Sequence, residues 1–222
     1  DPDRAWVSRY AWGRDYHRVL KTRLVRLGRW LGTATGSAGW RAGVDTLPVL
    51  EREWATRAGL GWLGKNTQLI NRRFGTELFL GVLLSDVALA PDPPASAHCG
   101  RCTACLDACP TGALIAPGRL DARRCIAYLT VEHRSAIPSE LQPRVGSMVA
   151  GCDICQEVCP WTRRAPADLH PEFAPAAHRF RPALAAMDAL DEDGFRRWRQ
   201  GSALSRIPFA QLRQSLAVAR AN

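Results

Sequence analysis

The sequence predicts an α+β protein in three parts: an α/β stretch over residues 1–90, a cysteine-rich module over 91–165 and a helical segment over 166–222. Three observations predict it. In the first ninety residues the apolar positions switch between helical spacing and short apolar runs bounded by glycine and proline. All eight cysteines fall between positions 99 and 159, behind a stretch at 90–97 whose three prolines read as a linker. Beyond 166 the best-patterned stretches, 195–198 and 211–221, have helical character.

The elements follow in order. Residues 5–32 read as one helix, because Tyr16, Val19, Leu20, Leu24, Leu27 and Leu31 recur at helical spacing with arginines between them. A Gly/Ser/Thr loop at 33–39 leads into a strand over 41–49 that ends at a turn near Leu47-Pro48. A helix over 50–57 and a glycine-punctuated loop over 59–66 come next. Residues 68–71 and 77–84 read as strands joined by the turn Arg72-Arg73-Phe74-Gly75. The second is nearly all apolar, as a buried strand would be. Residues 125–134 read as a short helix.

The chemistry concentrates in the cysteines. Cys99-Gly-Arg-Cys102-Thr-Ala-Cys105-Leu-Asp-Ala-Cys109-Pro110 is C-x2-C-x2-C-x3-C-P, the bacterial ferredoxin run that wraps a cubane iron–sulfur cluster. A shorter run, Cys152-Asp-Ile-Cys155-Gln-Glu-Val-Cys159-Pro160, follows, and Cys125 stands between them. Eight thiolates match the need of two [4Fe-4S] clusters. In two-cluster ferredoxins the cysteine before proline ligates the other cluster. Cluster 1 should then take Cys99, Cys102, Cys105 and Cys159. Cluster 2 should take Cys109, Cys152 and Cys155, with Cys125 completing it. The prolines are expected to end each loop and start an extended segment. A disulfide framework fits poorly, since that cysteine density belongs to small secreted chains. Paired C-x2-C units also bind zinc, but the third cysteine and the closing C-P are not zinc-ribbon features.

At 222 residues the chain suffices for one large domain or two small ones. No run of eighteen apolar residues and no signal-peptide pattern occurs, so a cytoplasmic protein with no membrane partner is expected. The chain opens Asp1-Pro2 without methionine, and a further upstream segment is expected. Net charge is +9, and all but Lys21 and Lys65 of the 30 basic residues are arginine. Arginine pairs with phosphate and stacks on bases, so the balance suits a nucleic-acid partner as well as a solvated surface.

Other motifs are weaker alone. Asp45 ends a predicted strand, where a carboxylate serves as a general acid if burial raises its pKa, but also as an ordinary turn residue. Gly61-Trp62-Leu63-Gly64-Lys65-Asn66-Thr67 is a glycine-rich loop whose N–H groups suit an anion, though it is no Walker loop. No two of the five histidines stand at metal-ligand spacing, and His17, His98 and His133 read as surface residues.

Taken together, these stretches resemble the epoxyqueuosine reductase family of cobalamin-dependent iron–sulfur enzymes. The resemblance is carried by Gly13-Arg14-Asp15-Tyr16-His17, by Val44-Asp45-Thr46 through Arg52, and by Gly61 to Thr67. Both cysteine runs with Pro160-Trp161, and Gly201-Ser202-Ala203, complete it. It covers nearly the whole chain in order. The resemblance implies part of an α/β cobalamin-binding domain over 1–90, a ferredoxin-like two-[4Fe-4S] domain and a helical tail. It implies an oxidoreductase that reduces epoxyqueuosine to queuosine at the tRNA wobble position, the last step of queuosine biosynthesis, with Asp45 as proton donor. Cobalamin contacts implied are Asp45, Leu69, Leu80, Ala127, Cys152 and Asp153. Arg52 and Arg134 are candidates for tRNA contacts. Trp161 is expected to pack beside a cluster rather than stack on a base. Partners are tRNA carrying epoxyqueuosine and an unidentified electron donor, and a monomer is expected. Two other readings use the same parts: a cobalamin-dependent reductive dehalogenase, whose donor is generally a tyrosine, and a plain ferredoxin-type electron carrier.

Overall fold

Residues 3–37, 39–166 and 170–222 are described by the structure, a computed structural model. A short strand β1 (Trp6–Val7) and a 3-10 turn precede the long helix α1 (Tyr16–Thr35). Asp15 caps α1 by accepting the His17 N–H, and Gly36 closes it in the left-handed conformation. The helix therefore starts eleven residues later than its apolar spacing suggested. Residues 5–12 are apolar for another reason: Ala5, Val7, Ala11 and Trp12 belong to the main core.

Strand β2 (Trp40–Gly43) follows α1, and the two pack closely. Gly28 makes this possible, because a Cβ there would lie 2.5 Å from the Trp40 ring. β2 stops at Gly43 rather than running to residue 49. Asp45 then takes a left-handed backbone, φ 58°, which ends the strand. Helix α2 (Glu51–Arg57), strand β3 (Trp62–Leu63) and strand β4 (Leu69–Ile70) come next, and then β5 (Val82–Ser85). The expected hairpin between 68–71 and 77–84 does not form. β4 pairs with β3, inside the glycine-rich loop, and β5 pairs antiparallel with β2. β5 is an edge and not a buried strand, with Leu84 46% exposed.

The cysteine module holds α3 (Ala104–Asp107), the hairpin β6 (Leu114–Ala116) and β7 (Arg119–Leu120), α4 (Ile126–Val131) and α5 (Gln142–Val145). Strand β8 (Met148–Ala150), α6 (Ile154–Glu157) and α7 (Pro160–Arg163) complete it. Pro160 begins a helix rather than an extended segment. It occupies the first helical position, where its missing N–H has no intrahelical partner to lose. Residues 90–97 carry neither helix nor strand.

The tail contains α8 (Leu184–Asp188), α9 (Glu192–Trp198) and α10 (Phe209–Ala221). It is the floor of the molecule and not an appendage. Leu184, Met187, Phe195, Leu212 and Leu216 pack against Val7 and Val149 of β1 and β8, which pair in parallel. A smaller core joins α4 and α5 to Val218 of α10. No helix among the described residues is long and apolar enough to cross a membrane.

Candidate iron–sulfur and active site

Cys99, Cys102, Cys105 and Cys159 line one cavity of about 260 Å³, together with Asn66, Ile70 and Trp161. Among the described residues no three His, Cys, Asp or Glu side chains converge as they would on one metal ion. The four thiols surround a space instead, which is the arrangement a polynuclear cluster needs. The glycine-rich loop builds the cavity wall. Trp62 donates its indole N–H to Cys99 Sγ at 3.4 Å, and the Lys65 ammonium donates to the carbonyls of Gly100 and Cys102 at 2.8 and 2.9 Å. Its lysine is thus spent on the cysteine loop rather than on a free anion. Trp161 packs edge-on to Trp62 with centroids 5.1 Å apart, and His98 meets the same ring.

The other four thiols form a second group. Cys109 and Cys125 are electrostatic neighbours of both Cys152 and Cys155. Burial pushes the Cys152 and Cys155 thiols up to about 12, so metal loading there must release protons. Cys109 goes the other way. Burial raises it, but N–H groups of Thr111, Ala113 and Leu114 and the Thr111 hydroxyl outweigh that and hold it below the usual thiol range. The two groups adjoin, since Cys105 also acts on Cys155 and Asn66 donates to the Cys155 carbonyl at 3.2 Å.

Asp45 stands elsewhere, half-exposed, amid polar side chains from three parts of the chain. Tyr16 donates its hydroxyl to Oδ2 at 3.3 Å, His17 Nε2 lies 3.3 Å from the same oxygen, and Arg206 Nη1 lies 3.6 Å from it. These partners all fall on Oδ2, and among the described residues no hydrogen bond reaches Oδ1. Glu51 accepts the Asp45 backbone N–H at 2.7 Å, fixing the turn. Arg206 is held in turn by Glu132 at 3.2 Å. The Tyr16 ring is clamped between His17 and Phe79, with centroids 4.0 and 4.4 Å away. Burial first, and then the Asp45 charge, raise the Tyr16 hydroxyl well above the usual phenol range, so Tyr16 orients the carboxylate and keeps its own proton. Sequence reasoning read His17 as a surface residue although it closes the family-like stretch Gly13 to His17, and it passed over Arg206, which belongs to no local motif.

Comparison with known proteins gives this constellation a context. The family model "Epoxyqueuosine reductase QueG, DUF1730" matches residues 1–46, and "4Fe-4S double cluster binding domain" matches 98–162. An epoxyqueuosine reductase of Pseudomonas aeruginosa is 48% identical over 222 residues, covering all of this chain and 62% of its own length. One of Synechococcus is 45% identical over 216 residues, covering 96% of this chain and 67% of its own. The chain belongs to the epoxyqueuosine reductase family. A crystal structure of an epoxyqueuosine reductase with an epoxyqueuosine-modified tRNA-Tyr stem loop is 33% identical with a TM-score of 0.93. That match covers 99% of this chain and 58% of that one. The chain spans about three fifths of the length of the first of these relatives.

Other family-implied residues divide by burial. A concavity of about 470 Å³ opens beside Asp45, lined by Val49, Leu50, Arg52, Leu63 and Thr67. Leu50 and Leu63 are exposed apolar side chains there, beside the charged Glu51 and Glu53, and of the family-implied cobalamin contacts only Asp45 lines it. Leu69 is buried in β4, while Leu80 and Ala127 are half-buried. Arg52 and Arg134 are exposed on separate elements. Each donates to one backbone carbonyl, of Thr67 and Val131, and keeps further N–H donors for phosphate.

Asp153 differs, for its carboxylate is already committed. It accepts from the Ser8 hydroxyl, from the Arg9 N–H at 2.9 Å and from the Trp6 indole at 3.3 Å, and it is 3% exposed. Burial raises its carboxyl above the usual range, while these three donors pull it down. Asp153 therefore ties the N-terminal strand to the backbone that carries Cys152. Asp153→Ala strands all three donors and is expected to cost about 3 kcal/mol, with Ser8→Ala costing about 1. Denaturant midpoints of the iron-loaded protein test this, and a loss for Asp153→Ala below that of Ser8→Ala would remove the role.

Proposed function

We propose that the protein reduces epoxyqueuosine to queuosine at the wobble position of tRNA. The observation that carries this reading is a half-exposed Asp45 carboxylate, oriented on one oxygen, in a chain that matches the family from end to end. Cys99, Cys102, Cys105 and Cys159 ligate cluster 1, and Cys109, Cys125, Cys152 and Cys155 ligate cluster 2. Removing an epoxide oxygen as water takes two electrons and two protons. The adjoining thiol groups suit single-electron relay between clusters. Cobalamin, held by Asp45, Leu69, Leu80, Ala127 and the Cys152-Asp153 segment, supplies when bound the low-potential chemistry that no side chain offers. Asp45 delivers a proton from its unoccupied oxygen to the departing oxygen. Arg52 and Arg134 bind tRNA phosphate. The protein works in the cytoplasm as a monomer supplied by a separate electron donor.

The test uses anaerobically reconstituted protein with cobalamin, a strong reductant and epoxyqueuosine-containing tRNA, with digested nucleosides read by mass spectrometry. Loss of one oxygen mass from the modified nucleoside is the expected result. An unchanged nucleoside, from protein carrying full iron and bound cobalamin, would overturn the reading and direct attention to halogenated substrates.

A further inference from the structure

The constellation around Asp45 poses a problem of proton supply. The reaction consumes two protons in each turnover, and a single carboxyl holds one. A donor that reloads Asp45 is therefore required, and it has to reach the carboxylate from the side away from the substrate.

Among the described residues three side chains meet the carboxylate, Tyr16, His17 and Arg206, and Glu51 meets the backbone N–H of the same residue. Arg206 does not give up a proton in proteins. Tyr16 is held well above the usual phenol range by burial and the Asp45 charge and keeps its hydroxyl proton. Glu51 accepts the Asp45 backbone N–H and is spent on the turn. His17 remains. Its Nε2 lies 3.3 Å from Asp45 Oδ2, and its Nδ1 lies 2.7 Å from Asp15 Oδ1. Asp15 also accepts the His17 backbone N–H at 3.0 Å, so one carboxylate fixes both the start of α1 and the imidazole. A ring whose Nδ1–H is held by a carboxylate has its Nε2 committed to exchange, the same logic by which a buried aspartate orients a catalytic imidazole. The stacked Tyr16 ring, 4.0 Å away, holds the imidazole plane. The side chain stays 25% exposed, which leaves it open to solvent protons.

We propose that His17 is the proton feed of Asp45: it reloads the carboxyl through Oδ2 as Oδ1 gives its proton to the departing oxygen, with Asp15 holding the imidazole. This rests on the reading of Asp45 as the proton donor. The balance closes as follows. Asp45 Oδ1–H passes to the epoxide oxygen as the C–O bond breaks, with electrons supplied through the clusters. His17 Nε2–H then passes to Asp45 Oδ2, leaving a neutral imidazole protonated at Nδ1. Rotation of the carboxyl about its Cβ–Cγ bond then turns the proton on Oδ2 toward the departing oxygen to complete water, and solvent reprotonates Nε2. His17 acts through Asp45 and is a positioning and relay residue, with no contact to the substrate of its own.

The test is single-turnover conversion by the intact protein, carrying both clusters and cobalamin and reduced beforehand. An epoxyqueuosine stem-loop RNA is followed across pH for wild type, His17→Gln, His17→Ala and Asp45→Asn, each first matched in iron content and cobalamin absorbance. Glutamine keeps hydrogen bonds to Asp15 and Asp45 but carries no transferable proton. His17→Gln is expected to slow conversion about 10²-fold and to change the dependence of the rate on pH. Added imidazole is expected to restore His17→Ala at least about tenfold, a rescue that a packing role would not produce. A His17→Gln variant with wild-type rate and pH profile, beside an inactive Asp45→Asn, would overturn the relay and leave the function standing. Wild-type conversion by Asp45→Asn would remove the donor itself, and the relay with it.

Discussion

Cys125→Ala is expected to halve the iron and sulfide content and to abolish conversion of epoxyqueuosine. Cys125 lies outside both cysteine runs, at the head of α4. Its electrostatic partners are nevertheless Cys152 and Cys155, and Cys109 acts on the same two thiols. A cubane deprived of one of four protein ligands is labile, and no other cysteine is available to replace it. Cys99, Cys102, Cys105 and Cys159 line a separate cavity, so their cluster should persist. The two outcomes separate in the electron paramagnetic resonance of the reduced protein, where one cluster signal should vanish and the other remain. Cys102→Ala should give the complementary spectrum. Full iron content in Cys125→Ala would show that the eighth ligand has been wrongly assigned. Loss of cluster 2 should also loosen α4, whose Thr130 hydroxyl accepts the Gly151 N–H at 2.9 Å just ahead of Cys152.

The contrast between what was legible in the sequence and what was not follows from the range of the interactions. Cluster loops are local: three thiolates within seven residues must converge, so their spacing is written in consecutive positions. Helices α2, α9 and α10 were legible for the same reason, since helical periodicity is a local signal. β1 was not. Two residues carry no period, and Trp6 and Val7 become a strand only because Met148 and Ala150 lie beside them. The apolar run before β5 misled in the opposite sense. Phe79 is apolar because it covers the Tyr16 ring, not because it lies in a sheet interior. Pro160 reads as a break in sequence but as a helix start in three dimensions. At the site, Asp45 was visible through its family motif. His17, 28 residues away, and Arg206, from the far end of the chain, reach it only through the fold. A histidine without a partner at metal spacing gives no sequence signal of a carboxylate across the site.

Asp45→Asn should abolish most conversion while leaving the protein otherwise intact, by about 10³-fold in single turnover, or about 4 kcal/mol of transition-state stabilisation. Asparagine is the informative replacement. Asp45 has φ 58°, and asparagine is among the few residues that accept the left-handed region at little cost. Its amide carbonyl can still accept from Tyr16, so the turn and the Glu51 contact to the backbone N–H should survive. What it lacks is a proton to give. Alanine would confound that loss with the loss of the Tyr16, His17 and Arg206 contacts, all of which fall on Oδ2. Iron content, cluster spectra and stem-loop affinity should match wild type, because the substitution keeps the shape of the side chain and leaves the cysteines and both candidate phosphate-binding arginines in place. A variant that loses conversion together with iron would point to misfolding rather than chemistry. A variant that converts normally would transfer the acid to another carboxyl of the same surface. Glu132, which holds Arg206 beside the site at 3.2 Å, would then be the first to replace.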